Sequence, residues 1–219
     1  PMAASSLRQY DNAVHSLDEY VPTGQLCLAA CFNQGESAAV SARGSQKETG
    51  AITAVTFRSD QGLVGQFNDV MVEFAVQTLG NLPGKKVIMA VGERIQSRLA
   101  ETDLLVGESF ALPNSISAIT PLVGQILIEI ETQREQGAIT QVYLFHNRPK
   151  SGAIYTPVSQ RLLPLDAIWR RALAGIRWPP NNLREVMNER KQTPLTLVRE
   201  YIFGSLFRAC AESLSLIPF

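Results

Sequence analysis

The sequence predicts an α/β domain in which helices cover both faces of a mostly parallel sheet. Three stretches point to it. Ala51–Asn68, AITAVTFRSDQGLVGQFN, runs from β-formers through a glycine turn into helical spacing, the first half of a βαβ unit. Lys86–Val91 (KVIMAV) and Thr140–His146 (TQVYLFH) are further nearly continuous apolar runs, as expected of strands buried on both faces. Strands alternating with helical stretches at this spacing imply a three-layer, Rossmann-like α/β/α arrangement.

Met2–Tyr20 reads as a helix, with Leu7, Tyr10, Val14 and Leu17 at three- and four-residue steps. No capping residue precedes it, and the expectation is a helix cut from something longer. Pro22-Thr23-Gly24 is expected to break it, and Gln25–Phe32 to form a second helical piece. Asn33–Thr49, rich in Gly, Ser, Ala and Gln, reads as a mobile connection. In the first βα unit Ile52, Val55 and Phe57 form the strand; Gly62 and Gly65 make the turn. The helix then follows Phe67, Val70 or Met71, Phe74 and Leu79.

Leu82-Pro83-Gly84 is a turn before the second strand, Gly92-Glu93 ends that strand, and a short helix runs to about Leu99. Asp103–Val106 is a weaker third strand. Thr120 is expected to cap a long helix with Pro121 at its first position, and Gly137 to end it. Leu122, Ile126, Ile130 and Arg134 lie on one face of that helix. A fifth segment runs from Ala153 through Ser159–Leu165. Asn182 caps a further helix, with Glu185 in capping-box position. Thr193-Pro194 starts the last one. It has two apolar lines, Leu197, Tyr201, Gly204 or Ser205, and Arg208 against Val198, Ile202, Leu206 and Ala209. A face this broad needs partners on more than one side. The organisation expected is a helical stub over 1–32, a mobile connection over 33–50, the α/β domain over 51–180 and C-terminal helices over 181–219.

Composition excludes several classes. The 219 residues hold 20 Lys+Arg and 20 Asp+Glu, so no bulk basicity points to nucleic acid or an anionic membrane surface. The longest apolar run, Ile119–Ile130, is interrupted by Thr120, Pro121, Gly124, Gln125 and Glu129, so no direct membrane insertion is expected. No signal peptide is expected. Three cysteines make no disulfide framework and fit a reducing compartment. Cys27, Cys31 and Cys210 read as small buried helix residues rather than metal ligands.

Candidate chemistry is sparse. Gly62 and Gly65 give only Gly-x-x-Gly, without the Lys-Ser/Thr of a phosphate loop or the three-glycine dinucleotide spacing. The glycines read as reversal and packing residues, and no cofactor is expected. His15 and His146 are the only histidines, and neither has a second ligand at metal spacing. His146 falls at the carboxyl edge of the sheet, where α/β enzymes place ligands. An Asp60–His146 acid–base pair is thus the enzymatic alternative, that of a small nucleotide- or substrate-binding enzyme. Against it stands the reading in which Asp60 caps the glycine turn and His146 is a surface or core residue. No G-x-S-x-G nucleophile elbow is present.

SDQGLVGQFN resembles the SD-(Arg/Lys)-GL-(Cys/Ala)-GG-FN signature of the γ subunit of F-type ATP synthases. Ser59, Asp60, Gly62, Leu63, Gly65, Phe67 and Asn68 match it, while Gln61, Val64 and Gln66 depart from it. MAASSLRQYDNAV is similar to part of the family's N-terminal helix, VIMAVGERI to its second strand and turn, and ITQVYLFHNRP to a later strand. RLLPLD, Trp178-Pro179-Pro180-Asn181 and LVREYIFGSLFRACAESL also have counterparts. The likeness is loose over 2–32 and good over 51–214. It implies a non-catalytic rotor-shaft subunit whose N- and C-terminal helices pair antiparallel and project from the sheet; an enzyme would instead fold them over it. The shaft is expected to lack most of its coiled coil. The implied partners are the α and β subunits of the catalytic head, the ε subunit and the membrane c ring. The implied place is peripheral to the cytoplasmic face of a membrane or its organelle equivalent. In relatives the basic residue after Ser-Asp reaches toward the catalytic β subunit; Gln61 removes that charge.

Overall fold

A computed structural model describes residues 2–33, 50–57, 65–92, 98–99, 102, 104–150, 155–165, 171, 173, 175–176 and 193–215. The expectations for 34–49 and for the helix capped by Asn182 lie outside them. In chain order the elements are α1 (Met2–Asn33), β1 (Ala51–Phe57), α2 (Gly65–Gly80), β2 (Lys86–Val91), β3 (Leu105–Phe110), a 3₁₀ turn (Ile116–Ala118), α3 (Ile119–Glu135), β4 (Ile139–Pro149), β5 (Tyr155–Leu163) and α4 (Thr193–Ser215).

The five strands form one sheet in the order β3-β2-β1-β4-β5. β1 pairs in parallel with β2 (Val55 opposite Met89) and with β4 (Val55 opposite Leu144). β2 and β3 are also parallel, and only β5 runs antiparallel, along β4. The expected mostly parallel sheet is therefore present, and its central strand is fully enclosed from Ile52 to Phe57.

Side-chain alternation along the strands splits the core in two. Val55, Phe57, Met89, Val91, Val142 and Leu144 face a large cluster built with α3, α4 and the Leu28-Ala29 end of α1. Ile52, Ala54, Ile88, Ala90 and Phe145 face a smaller one built with α2 and Leu99. On α2 the buried line is Met71, Val72, Ala75 and Leu79, and Val70 points outward at 41% exposure. Phe74 of α2 meets Phe145 edge-on, with centroids 6.1 Å apart and planes at 77°, the geometry favoured by the ring quadrupoles.

Four details differ from the sequence expectation. α1 continues through Pro22 and Gly24 as one helix. Packing decides this: Val14 on one side of the proline and Leu28, Ala29 and Ala30 on the other sit against the body, and tertiary contacts override local propensity. β3 lies over Leu105–Phe110 rather than Asp103–Val106. It is an edge strand with Leu105 51% exposed, so it lacks the apolar run that marks a buried strand. α3 begins at Ile119 with Ala118 at the N-cap, so Thr120 is already inside the helix. Pro121 is still in the first turn, where its missing N–H costs nothing. Finally, α4 does not stand clear of the sheet. It packs on β4 and α3, and α1 packs along it.

The end of α3 is as expected, and its geometry is explicit. Gly137 has φ +69°. Its N–H donates to the Arg134 carbonyl at 3.0 Å, and that of Ala138 to Gln133 at 2.9 Å. These are the two bonds of a Schellman motif, which needs a left-handed residue at that point.

Candidate functional site

β1 ends at Phe57 and α2 begins at Gly65. The signature residues therefore follow directly on the carboxyl end of the central strand, at the point where strand order reverses between β1 and β4. Ser59, Asp60, Gln61, Gly62 and Leu63 lie outside the described residues. Gly65, Phe67 and Asn68 form the first turn of α2 as backbone. Whether Asp60 meets His146 is thus not part of the described structure, but the surroundings of His146 are.

His146 sits one position beyond the Thr56–Phe145 pairing, near the carboxyl end of β4. It is 1% exposed. Its Nε2 lies 2.9 Å from Oε2 of Glu212, on α4. A carboxylate only accepts, so Nε2 carries the proton and donates. Arg148, two residues further and on the same face of the strand, donates from Nε to the same Oε2 at 3.4 Å. The Glu212 side chain is only 5% exposed, whereas that of Arg148 is 48% exposed. An acid on α4 is thus buried between two basic side chains of β4, an arrangement that stays tolerable because each charge has a partner.

A second polar contact lies on the neighbouring strand. Gln160 of β5 stands opposite Leu144. Its Nε2 donates to the Tyr201 hydroxyl at 2.8 Å and to Ser205 Oγ at 3.4 Å. Burial raises the Tyr201 pKa, opposed by the hydrogen bonds to Gln160 and Ser205. Between these contacts and the end of α4 lie Ala209, Cys210, Ala211 and Ser213, all buried and small. Burial pushes the Cys210 thiol up to about 12. On the other terminal helix, the Tyr20 hydroxyl donates to Glu200 Oε2 at 3.0 Å, joining α1 to α4.

Sequence reasoning singled out His146 but not Glu212, Arg148 or Gln160. A signal was available for Glu212: it stands inside the apolar run Ala209–Leu214, where an acid needs a buried partner. His146 is committed to that partner and shut off from solvent, so as it stands it offers no open acid–base face. Among the described residues no group of three or more His, Cys, Asp or Glu could hold a metal ion. Likewise, no described helix is long and apolar enough to cross a membrane.

The fold and this polar clamp define a class: a three-layer α/β body onto which a pair of terminal helices is fastened. A family model described as ATP synthase matches residues 1–215, and the chain belongs to that family. It is 25% identical over 184 residues to the ATP synthase gamma chain of Polynucleobacter asymbioticus, an alignment covering 77% of this chain and 57% of that protein. The chain thus spans little more than half the length of that curated relative. Among solved structures it is similar to a chain of the Tetrahymena thermophila mitochondrial ATP synthase central stalk/c-ring, with a TM-score of 0.60 and 20% identity. That match covers 99% of this chain and 94% of the other, and at this identity it speaks for the fold alone.

Proposed function

We propose that this chain is a central-stalk rotor subunit of an F-type ATP synthase. It couples ion flow through a membrane ring to ATP synthesis or hydrolysis in the catalytic head, and itself makes and breaks no bonds. The reading rests on the family match over 1–215 together with the pairing of α1 with α4, although α4 packs on β4 rather than projecting from the sheet as the resemblance implied. A rotor needs a helical shaft joined to a stiff foot. A doubly covered sheet suits the foot, because close-packed interiors transmit strain rather than absorb it.

The partners in this reading are the α and β subunits of the head, the ε subunit and the c ring, with the chain peripheral to the membrane on its cytoplasmic side or the organelle equivalent. The segment bearing Ser59, Asp60, Gln61, Gly62 and Leu63 is the proposed contact toward the head; Gly65, Phe67 and Asn68 belong to the start of the helix that follows it. Gln61 makes that contact uncharged.

The test is to combine the full chain with the head, ε and ring subunits of the same source, isolate any complex, and follow a bead fixed to the α/β body during ATP hydrolysis. Co-isolation and ATP-driven rotation are expected. A chain that enters neither head nor ring, and instead shows a stoichiometric small-molecule site by calorimetry, would refute the reading.

A further inference from the structure

We infer that the His146–Glu212–Arg148 cluster and the Gln160–Tyr201–Ser205 cluster are two pins that fix the rotational and axial register of α4 on the sheet, and that Glu212 and Gln160 are positioning residues for torque transfer. The torque role rests on the rotor reading above; the register role does not.

The geometry points this way. Tyr201 and Glu212 fall within about 20° of one another around the helix and are separated along it by roughly 16 Å. One stripe of α4 is therefore tied at two points, to β5 through Gln160 and to β4 through His146. Each contact lies off the helix axis and so opposes both sliding along the axis and rolling about it. The second, on the same line, adds resistance to pivoting of the helix about the first.

The remaining contacts hold the register less sharply. Val198, Ile202, Leu206 and Leu214 give α4 its apolar grip on the body, but around the second pin it also presents Ala209, Cys210, Ala211 and Ser213. These last are short side chains, which form shallow ridges and leave shallow grooves. Apolar burial is non-directional and resists separation of the helix from the sheet far more than a small rotation on it. Hydrogen bonds weaken steeply as their angle departs from linear, so a rotation of α4 is felt first at the two clusters. Glu212 adds to this, because a rotation that draws its carboxylate from His146 and Arg148 costs a buried charge two of its partners.

The experiment replaces the pins with apolar side chains of similar size. The fourfold variant carries His146→Leu, Glu212→Leu, Gln160→Leu and Tyr201→Phe; a second variant carries only Gln160→Leu and Tyr201→Phe. Glu212→Gln keeps an acceptor in place of the carboxylate. In the free full chain, amide exchange over 205–214 should rise about tenfold in the fourfold variant, while the β1 amides stay protected. The second variant should show a smaller rise over the same residues. In the assembled complex, ions pumped per ATP hydrolysed should fall in the fourfold variant at an unchanged ATPase rate, and Glu212→Gln should restore most of the coupling. A merely structural role would lower the amount of complex, not the pumping per complex. Unchanged exchange in either folded variant would overturn the register role, and unchanged pumping per ATP would overturn the torque role. Failure of the wild-type chain to assemble would instead refute the rotor reading and the torque role with it, leaving the exchange arm to decide the register.

Discussion

Alkaline pH should selectively weaken the joint between α4 and the body, through Cys210. The side chain is 0% exposed, and burial moves its thiol from 9.0 up to about 12. Folding therefore favours the protonated form. Below pH 9.0 the thiol is protonated in folded and unfolded chains alike, and its contribution is fully present. From there to about 12 the unfolded chain releases a proton that the native chain keeps, so stability falls as pH rises. Inside that window the slope is about 1.4 kcal/mol per pH unit. From pH 9.0 to 10.5 the loss is thus about 2 kcal/mol, a large share of the roughly 5–15 kcal/mol that holds a typical domain folded. The assay is urea unfolding of the wild type and Cys210→Ala at pH 8 and 10.5. The substitution costs about 1 kcal/mol for the lost sulfur at the lower pH. Other groups titrate equally in both proteins, so the stability difference between them isolates Cys210. That difference should shift toward the variant by about 2 kcal/mol at the higher pH. Parallel losses in the two proteins would refute the reasoning and place the thiol in contact with water.

Val55→Asp should prevent folding, because Val55 is 0% exposed on the central strand and an unpaired buried charge costs several kcal/mol; a soluble variant with unchanged melting would contradict the sheet assignment. Gly137→Ala should cost about 1 kcal/mol in denaturant unfolding through its positive φ, and an unchanged midpoint would show that the α3 terminus adopts another cap. Calorimetric titration of the chain with ATP, NAD or divalent zinc should show no stoichiometric micromolar site; such a site would restore the Asp60–His146 alternative.

The parts of the fold legible in the sequence are those where local pattern and burial agree. β1, β2 and β4 are apolar on both faces because both faces are covered, and such runs stand out in any window. β3 is displaced from its expected position because an edge strand has only one paired side and tolerates Gly107, Glu108 and Ser109. Pro22 signals a break that the packing of α1 against α4 overrides. The clamp was half visible. His146 could be placed at the carboxyl edge of a strand, but its partner stands 66 residues away on a helix. No spacing rule joins two residues at that separation, and only the crossing of α4 over β4 brings them together.

That crossing also bears on why a sheet of this type need not be an enzyme. In open α/β folds the carboxyl edge at the reversal of strand order is where ligands bind, since the flanking turns leave a crevice there. Here the β4 side of that edge is occupied by the chain itself: Glu212 fills the place beside His146 and takes its Nε2 hydrogen bond. A histidine enclosed to 1% exposure and already bonded to an acid gains directional hold but gives up access to a substrate. Fold alone confers no chemistry, and the same edge can serve to fasten a helix. Between β1 and α2 the sequence carries the glycine-containing segment SDQGLVG. In the rotor reading the two divide the work, with β4 gripping the shaft and the segment bearing Gln61 meeting the head. Perturbing one should then leave the other intact: Glu212 variants should alter coupling without altering head binding, and substitutions at Gln61 should do the reverse. A Gln61→Glu variant that lost coupling while keeping its affinity for the head would contradict that division.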